Sequence, residues 1–207
     1  ALFLAVGITG CSNTSGGGTG VANEDGLVVL NVASTNQPVS FDPADANLVV
    51  NEYTEYDCYD TLLDFNQDGT DVVPALAESW EQVDDLTYTY KIREGVKFSD
   101  GSDLTMDDVL YSLNRVREDA YGMSYLFEHV DSFEVDEKTR TLTVHLTQPD
   151  STWKYVPATT PCQILKKSVV EAEGDAYGTN EGSVVGTGPY KFVSWAADSQ
   201  IVLEKNE

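Results

Sequence analysis

Residues 87–93 alternate between large apolar side chains and polar ones. A period of two is that of a β-strand with one buried face, so the stretch predicts a half-buried strand. Trp80 and Val83 precede it and indicate a partner strand. A turn between the two strands is expected at Asp84 and Asp85, because aspartate favours turns. The pattern therefore predicts a β-hairpin.

An amphipathic helix is predicted directly after this hairpin. Thr105 and Asp108 have the spacing of a capping box, in which each residue satisfies a free backbone N–H of the first helical turn. Apolar residues then recur three and four positions apart, on one face of a helix. They are Met106, Val109, Leu110, Leu113 and Val116.

The remaining patterns predict a mixture of strands and helices. Strands are expected at 27–33 and 160–165, and helices at 48–65, 153–156 and 166–173, the last ended by Gly174. Two further hairpins are expected, one over 133–146 with its turn at 136–139 and one formed by 190–195 and 200–205. With no internal repeat, the chain is predicted to have a mixed α/β (α+β) fold.

Composition narrows the classes of function. The 207 residues include 35 acidic and 12 basic side chains, giving a formal net charge of -23. Such a field repels nucleic acid and anionic lipid headgroups, so neither is expected as a partner. The acidity is typical of solubility outside the cell or of an organism that makes acidic proteins generally. Hydrophobic residues make up 41% of the chain, as in a folded globular protein.

The N-terminal residues 1–10 are apolar, uncharged and followed at once by Cys11. They are too few to span a bilayer. Residues 8–11, Ile-Thr-Gly-Cys, fit a bacterial lipobox, so 1–10 are interpreted as a truncated lipoprotein signal peptide, Cys11 as the lipidated residue and 11–24 as the anchor and flexible linker. The alternative is the end of an ordinary signal peptide with an incidental cysteine.

Common catalytic motifs are absent from the sequence. The chain has no phosphate-binding loop, no Gly-x-Ser-x-Gly and no Cys-x-x-Cys. His129 and His145 have no visible nucleophile or metal partner. Residues 64–69 match half of a calcium loop, but position twelve is Ala75, so an Asp-Gly hairpin turn is favoured. We predict no enzyme activity, no cofactor and no metal.

Two cysteines besides Cys11 leave two interpretations open. Cys58 is expected within a helix and Cys162 in a strand, and both are expected to face the core. An extracellular location permits a disulfide between them. Buried cysteine also serves as a small hydrophobic residue, and the sequence does not supply the Cα separation that a bridge requires.

Several motifs together resemble one family. The strings LAESW (76–80), REGVKFSDG (93–101) and LTMDDVLYSL (104–113) occur in order, preceded by SFDP (40–43) and YDTLL (59–63) and followed by GTGPYKFVSW (186–195). Their spelling and spacing resemble the extracellular solute-binding proteins of peptide and nickel ABC transporters, called family 5. The resemblance covers nearly all of residues 27–207.

The resemblance implies a fold and a function. It implies the N-terminal lobe of a two-lobed periplasmic-binding-protein-like fold of type II, incomplete at the C-terminus. Residues 25–207 would form this lobe, with a sublobe of roughly 46–159 inserted between strands within 25–45 and 160–207.

The implied function is the capture of peptides, a nickel complex or a similar small solute for ABC permease subunits. The expected protein is an extracytoplasmic monomer held to the cell membrane by a lipid anchor only. The alternative is a surface lipoprotein that acts as an adhesion or interaction scaffold.

The resemblance also points to ligand-binding positions. They lie in the loop after residue 43, in an aromatic stretch, before the strand predicted at 160–165 and in the GTGPY motif. Each residue also has an ordinary interpretation as a loop residue, a packed aromatic or a turn glycine. The candidates are Asn47, Leu48, Val49, Tyr121, Met123, Tyr125, Thr159, Thr160, Gly186 and Gly188.

Overall fold

The computed structural model describes residues 21–22, 28–32, 38–45, 55–118, 123–197 and 199–206. The chain divides into two compact units, Ala1–Thr35 and Asn36–Glu207. In the first unit, β1 (Val21–Ala22) pairs antiparallel with β2 (Val28–Val29). The strand predicted over 27–33 is therefore shorter than expected. Residues 30–32 carry exposed side chains and lie outside the strand.

The second unit contains consecutive pairs of strands with helices between some of the pairs. Residues 55–58 are helical, and short 3-10 turns occupy Pro43–Asp45, Ser124–Phe127, Val156–Ala158, Thr160–Cys162 and Gly174–Ala176. The regular elements are β3 (Leu63–Phe65), β4 (Val72–Pro74), β5 (Ala77–Asp84), β6 (Thr87–Ile92), α1 (Met106–Glu118), β7 (Val130–Asp136), β8 (Thr141–Leu146), α2 (Lys167–Glu173), β9 (Tyr190–Ala196) and β10 (Gln200–Lys205).

A four-stranded antiparallel sheet in the order β5-β6-β8-β7 forms the centre of this unit. Tyr90 of β6 lies opposite Leu142 of β8, and both side chains are fully buried. Buried and partly exposed residues alternate along β6 and β8, as the period of two predicted. The predicted hairpins β5–β6 and β7–β8 are confirmed.

Helix α1 covers this sheet with its apolar face. Its capping box is confirmed: the Asp108 N–H donates to Thr105 Oγ1 at 3.1 Å, and Asp108 Oδ2 accepts the Thr105 N–H at 3.0 Å. Met106, Val109, Leu113 and Val116 are buried in one cluster with the inward side chains of β6 and β8. The predicted face therefore packs at these four positions, whereas Leu110, also predicted on this face, is partly exposed.

Three predicted elements of the second unit are wrong in kind or extent. The first is the helix at 48–65, of which the described helical residues are 55–58. The chain then enters β3, because Leu62 and Leu63 are buried in the core at the β3–β4 hairpin. The predicted strand at 160–165 begins as the 3-10 turn Thr160–Cys162. Pro161 lacks the N–H that a strand ladder needs but suits the first turn of a helix.

The third wrong prediction is the short helix at 153–156. Residues 151–155 form turns, and the 3-10 helix covers Val156–Ala158, where Pro157 fits its first turn. Other predictions at this end of the chain are confirmed. Helix α2 ends at Gly174, which has a positive φ of 54°, and β9 and β10 form the closing hairpin. None of the helices among the described residues is long and apolar enough to cross a membrane.

A second apolar cluster holds the SFDP motif against the closing hairpin. Phe41 contacts Phe192 and Trp195 edge to face, at centroid distances of 5.1 and 5.7 Å.

Arg115 of α1 donates two hydrogen bonds to Asp42, Nη1 to Oδ1 at 2.7 Å and Nη2 to Oδ2 at 2.6 Å. These two side chains are 11% and 7% exposed. The buried pair therefore ties α1 to the loop that contains Asp42.

We expect the substitution Arg115→Met to lower the free energy of unfolding by about 3–5 kcal/mol, because it leaves the Asp42 carboxylate buried without its partner. Lys97→Met is the control. It breaks the ion pair with Asp103, whose side chains are 56% and 70% exposed, and should cost under about 1 kcal/mol. Chemical denaturation of both variants measures the difference. Equal losses would contradict a structural role for the buried pair.

Candidate ligand-binding site

Residues 55–61 form a segment that three of the predicted site residues approach closely, Thr160, Gly186 and Gly188. The Tyr59 N–H donates to the Glu55 carbonyl at 2.8 Å and completes one helical turn. On one side, the Thr160 hydroxyl donates to Tyr56 Oη at 3.2 Å, and the Ile164 N–H donates to the Asp60 carbonyl at 2.9 Å. The segment that follows Thr159 therefore runs alongside residues 55–61.

The GTGPY motif meets the same segment from another side. The Gly188 N–H donates to the Cys58 carbonyl at 3.0 Å, and the Thr187 hydroxyl donates to Asp60 Oδ2 at 2.9 Å. A Cβ on Gly188 would lie 2.5 Å from the Cys58 carbonyl carbon, and one on Gly186 would lie closer still to the Cys58 oxygen. Both positions must therefore be glycine for the two backbones to touch.

The structure thus brings two groups of predicted site residues to one segment. Thr160 is buried, and the partly exposed Thr159 donates its hydroxyl to the Val156 carbonyl at 2.7 Å. Gly186 and Gly188 are buried against backbone. In this arrangement the glycines make structural contacts, and a ligand contact from them remains a prediction.

The other predicted positions are less defined. Met123 precedes the 3-10 turn Ser124–Phe127 and is partly exposed, whereas Tyr125 is 60% exposed. The remaining candidates lie outside the described residues, so their role stays a prediction. They are Asn47, Leu48, Val49, Tyr121 and the lipidation candidate Cys11.

Sequence reasoning missed four polar residues of this site. Tyr56, Asp57, Asp60 and Thr187 lie within or next to the YDTLL and GTGPY motifs, but no local pattern relates the two motifs. Tyr56 is 42% exposed, and Asp57 is partly exposed. Within the part of the chain that the structure describes, no cation pairs with the Asp57 or Asp60 carboxylate.

Burial raises the pKa of two acidic groups of the segment. It raises the pKa of Asp57. It also raises the pKa of Asp60, an effect opposed by the hydrogen bond from Thr187 and reinforced by the charge of Asp64. Partly desolvated carboxylates without a counter-ion are typical of functional sites, because a ligand that donates to them restores the lost interactions. The arrangement can bind hydrogen-bond donors or a positive charge.

Cys58 and Cys162 are free thiols in the structure, and both are buried as expected. Burial raises the pKa of Cys58 to about 12, with contributions from the nearby charges of Asp57 and Glu55. Burial likewise raises the pKa of Cys162 to about 12. Thiols held in this protonated form are poor nucleophiles. Cys58 therefore belongs to the packing of the segment and not to its chemistry.

Other sites are not supported by the described residues. Among them, no group of three or more His, Cys, Asp or Glu side chains is arranged to hold a metal ion. Open grooves of about 420 and 360 Å³ occur beside Asp84 and His145 and beside Ser99 and Lys191. Neither groove is lined by a residue of the 55–61 segment.

Comparison with known proteins identifies the family. The model of bacterial extracellular solute-binding proteins, family 5 Middle, matches residues 71–207, which is more than half of the chain. The chain belongs to this family. The resemblance drawn from the sequence motifs is thereby confirmed.

The alignments with curated family 5 relatives cover most of this chain. The dipeptide-binding protein DppE of Bacillus subtilis is 29% identical over 228 residues, which cover 100% of this chain and 42% of the relative. The probable D,D-dipeptide-binding periplasmic protein DdpA of Escherichia coli is 28% identical over 186 residues, 86% of this chain and 36% of the relative. The chain thus spans well under half the length of these relatives.

Solved structures confirm the mixed α/β fold as that of periplasmic binding proteins. The oligopeptide-binding protein AppA of Bacillus subtilis, in complex with a nonapeptide, matches with a TM-score of 0.74 and 27% identity over 84% of this chain and 35% of that chain. DppA of Helicobacter pylori, in complex with the peptide STSA, matches with a TM-score of 0.70 and 28% identity over 83% and 38%.

We expect Asp57→Asn to raise the melting temperature modestly at pH 7. The pKa of Asp57 is higher in the folded state than in the unfolded state. Its ionised form therefore lowers the free energy of unfolding at neutral pH. This cost vanishes below about pH 4, where the carboxyl group is protonated in both states. Thermal unfolding from pH 7 to pH 3, with the exposed Asp85→Asn as control, measures the effect. A loss of stability at pH 7 would contradict the desolvation of Asp57.

Proposed function

We propose that the protein is the substrate-binding component of an ABC importer and that it captures peptides outside the cytoplasm. Membership of family 5 is the observation that carries this proposal. The names of DppE and DdpA and the peptide complexes of AppA and H. pylori DppA support peptides over other small solutes. A solute-binding role requires no catalytic group, so we propose no enzyme activity.

The 55–61 segment offers groups that suit a peptide. A peptide presents backbone N–H donors and a positively charged amino terminus, which match the Asp57 carboxylate and the Tyr56 hydroxyl. We propose that Tyr121, Met123 and Tyr125, together with the loop at Asn47, Leu48 and Val49, complete the contacts on this lobe. In the whole protein, closure of a second lobe over the peptide would stabilise the bound state.

The proposed organisation follows the resemblance. Residues 25–207 would form the first lobe, with a sublobe of roughly 46–159 inserted between its flanking strands. We propose that Cys11 carries a lipid that holds a monomeric protein to the cell membrane beside its permease subunits. The lipobox-like residues before Cys11 and the Ser/Gly-rich linker after it support the anchor. An adhesion scaffold remains the alternative, but no feature of the site favours it.

Tyr125→Ala in the complete protein should weaken peptide binding about tenfold, because it removes an exposed aromatic contact. Tyr56→Phe should weaken it about fivefold, because it removes one hydroxyl. The readout is capture of peptides from an equimolar synthetic tetrapeptide pool, quantified by mass spectrometry. Tyr155→Ala, at another partly exposed tyrosine, is the control. Unchanged capture by both site variants would contradict the site, and no capture by the wild type would contradict the function.

Metabolic labelling with an alkyne-tagged fatty acid tests the lipid anchor. The wild-type protein, expressed from its complete gene, should be labelled and should sediment with membranes. Cys11→Ser should abolish both, because the sulfur is the acceptor of the lipid, whereas Ser12→Ala should change neither. Equal labelling of the wild type and Cys11→Ser would contradict the lipoprotein interpretation.

A further inference from the structure

Asp60 accepts hydrogen bonds from both segments that carry predicted site residues. Its backbone carbonyl accepts the Ile164 N–H at 2.9 Å, and its carboxylate accepts the Thr187 hydroxyl at 2.9 Å. Ile164 follows the segment of Thr160, and Thr187 lies between Gly186 and Gly188. We call the contacts among Asp60, Ile164 and Thr187 the Asp60 junction. Asp60 is therefore a residue of the 55–61 segment that contacts both segments, in addition to the Gly188–Cys58 and Thr160–Tyr56 hydrogen bonds.

The backbone carbonyls of residues 186–189 accept further hydrogen bonds from outside the 55–61 segment. The Ser99 N–H donates to the Gly186 carbonyl at 2.9 Å. Asn206 donates its side-chain Nδ2 to the Gly188 carbonyl at 2.9 Å and its backbone N–H to the Pro189 carbonyl at 2.8 Å. These bonds attach the segment to the rest of the lobe. The Thr187 hydroxyl and the Gly188 N–H attach it to residues 55–61.

The hydrogen bond from Thr187 to Asp60 is suited to control how residues 186–189 attach to residues 55–61. A hydroxyl that donates to a carboxylate forms a stronger bond than one between neutral groups, and partial burial limits competition from water. No described lysine or arginine pairs with Asp60, so its charge is directed to Thr187. Replacing the hydroxyl by a methyl group would leave the carboxylate without this donor while keeping the side-chain volume.

We propose that Asp60 and Thr187 are positioning residues of the solute site. Their hydrogen bond sets the separation between the Tyr56–Thr160 hydroxyl pair and the backbone of residues 186–188, and through it the affinity for the solute. Neither side chain needs to touch the solute for this role. The inference deepens the proposed function and rests on it.

The test compares Thr187→Val, which removes the donor, with Thr187→Ser, which restores it. Thr179→Val is the matched control: it removes a hydroxyl that donates to the Ala176 carbonyl at 2.8 Å, away from the Asp60 junction. Capture from the equimolar synthetic tetrapeptide pool by the complete protein is the first readout. We expect Thr187→Val to weaken capture about tenfold and the other two variants to stay within about twofold of wild type.

The second readout needs no ligand. Amide hydrogen exchange of Ile164 and Gly188 should accelerate in Thr187→Val but not in Thr187→Ser or Thr179→Val, because both amides donate across the attachment. Unchanged exchange, or equal losses of capture in Thr187→Val and Thr179→Val, would overturn the positioning role. Wild-type capture with no effect of Thr187→Val would overturn this inference alone. No capture by the wild type would overturn the proposed function and this inference together.

Discussion

Backbone contact between residues 186–188 and residues 57–59 is the constraint on which the candidate site depends. A side chain at Gly186 or Gly188 would collide with Cys58, so the approach is available to glycine alone. Once the approach is made, Thr187 reaches Asp60. The β9–β10 hairpin that follows places Phe192 and Trp195 against Phe41. One sterically demanding contact therefore aligns the GTGPY, YDTLL and SFDP motifs.

The acidic residues around this contact divide into two kinds. Asp42 is buried but paired with Arg115 through two hydrogen bonds, so its charge serves the fold. Asp57 and Asp60 have no cationic partner among the described residues, and burial raises the pKa of each. A protein with 35 acidic residues has many carboxylates in water, so a partly desolvated carboxylate without a counter-ion is the informative case. The electrostatic cost at this segment is consistent with a group kept for binding.

Local patterns predicted the parts of the fold that local physics decides. Alternation identified β6, and the Thr105–Asp108 box placed the start of α1, because each signal is contained within a few neighbouring residues. The predicted extent of the first helix was wrong, and so was the strand predicted at 160–165, which begins as a 3-10 turn at Thr160–Cys162. Leu62 and Leu63 fit helix and strand equally well until their packing partners are known, and the importance of Pro161 was overlooked.

The candidate site was predicted less completely than the fold. The family motifs drew attention to Thr160, Gly186 and Gly188, but they carry no information on which motif touches which. Asp60 and Thr187 are 127 positions apart in sequence, and Tyr56 and Thr160 are 104 apart. Pairings of this length arise from tertiary structure. Sequence reasoning therefore missed Tyr56, Asp57, Asp60 and Thr187 as a group.

Native mass spectrometry of the protein purified from its own producing cells, with no ligand added, tests the central claim most directly. The account predicts a population carrying extra mass that is released on denaturation and sequenced as one or more peptides. A bare protein that also captures nothing from a synthetic peptide pool would contradict a role in peptide capture.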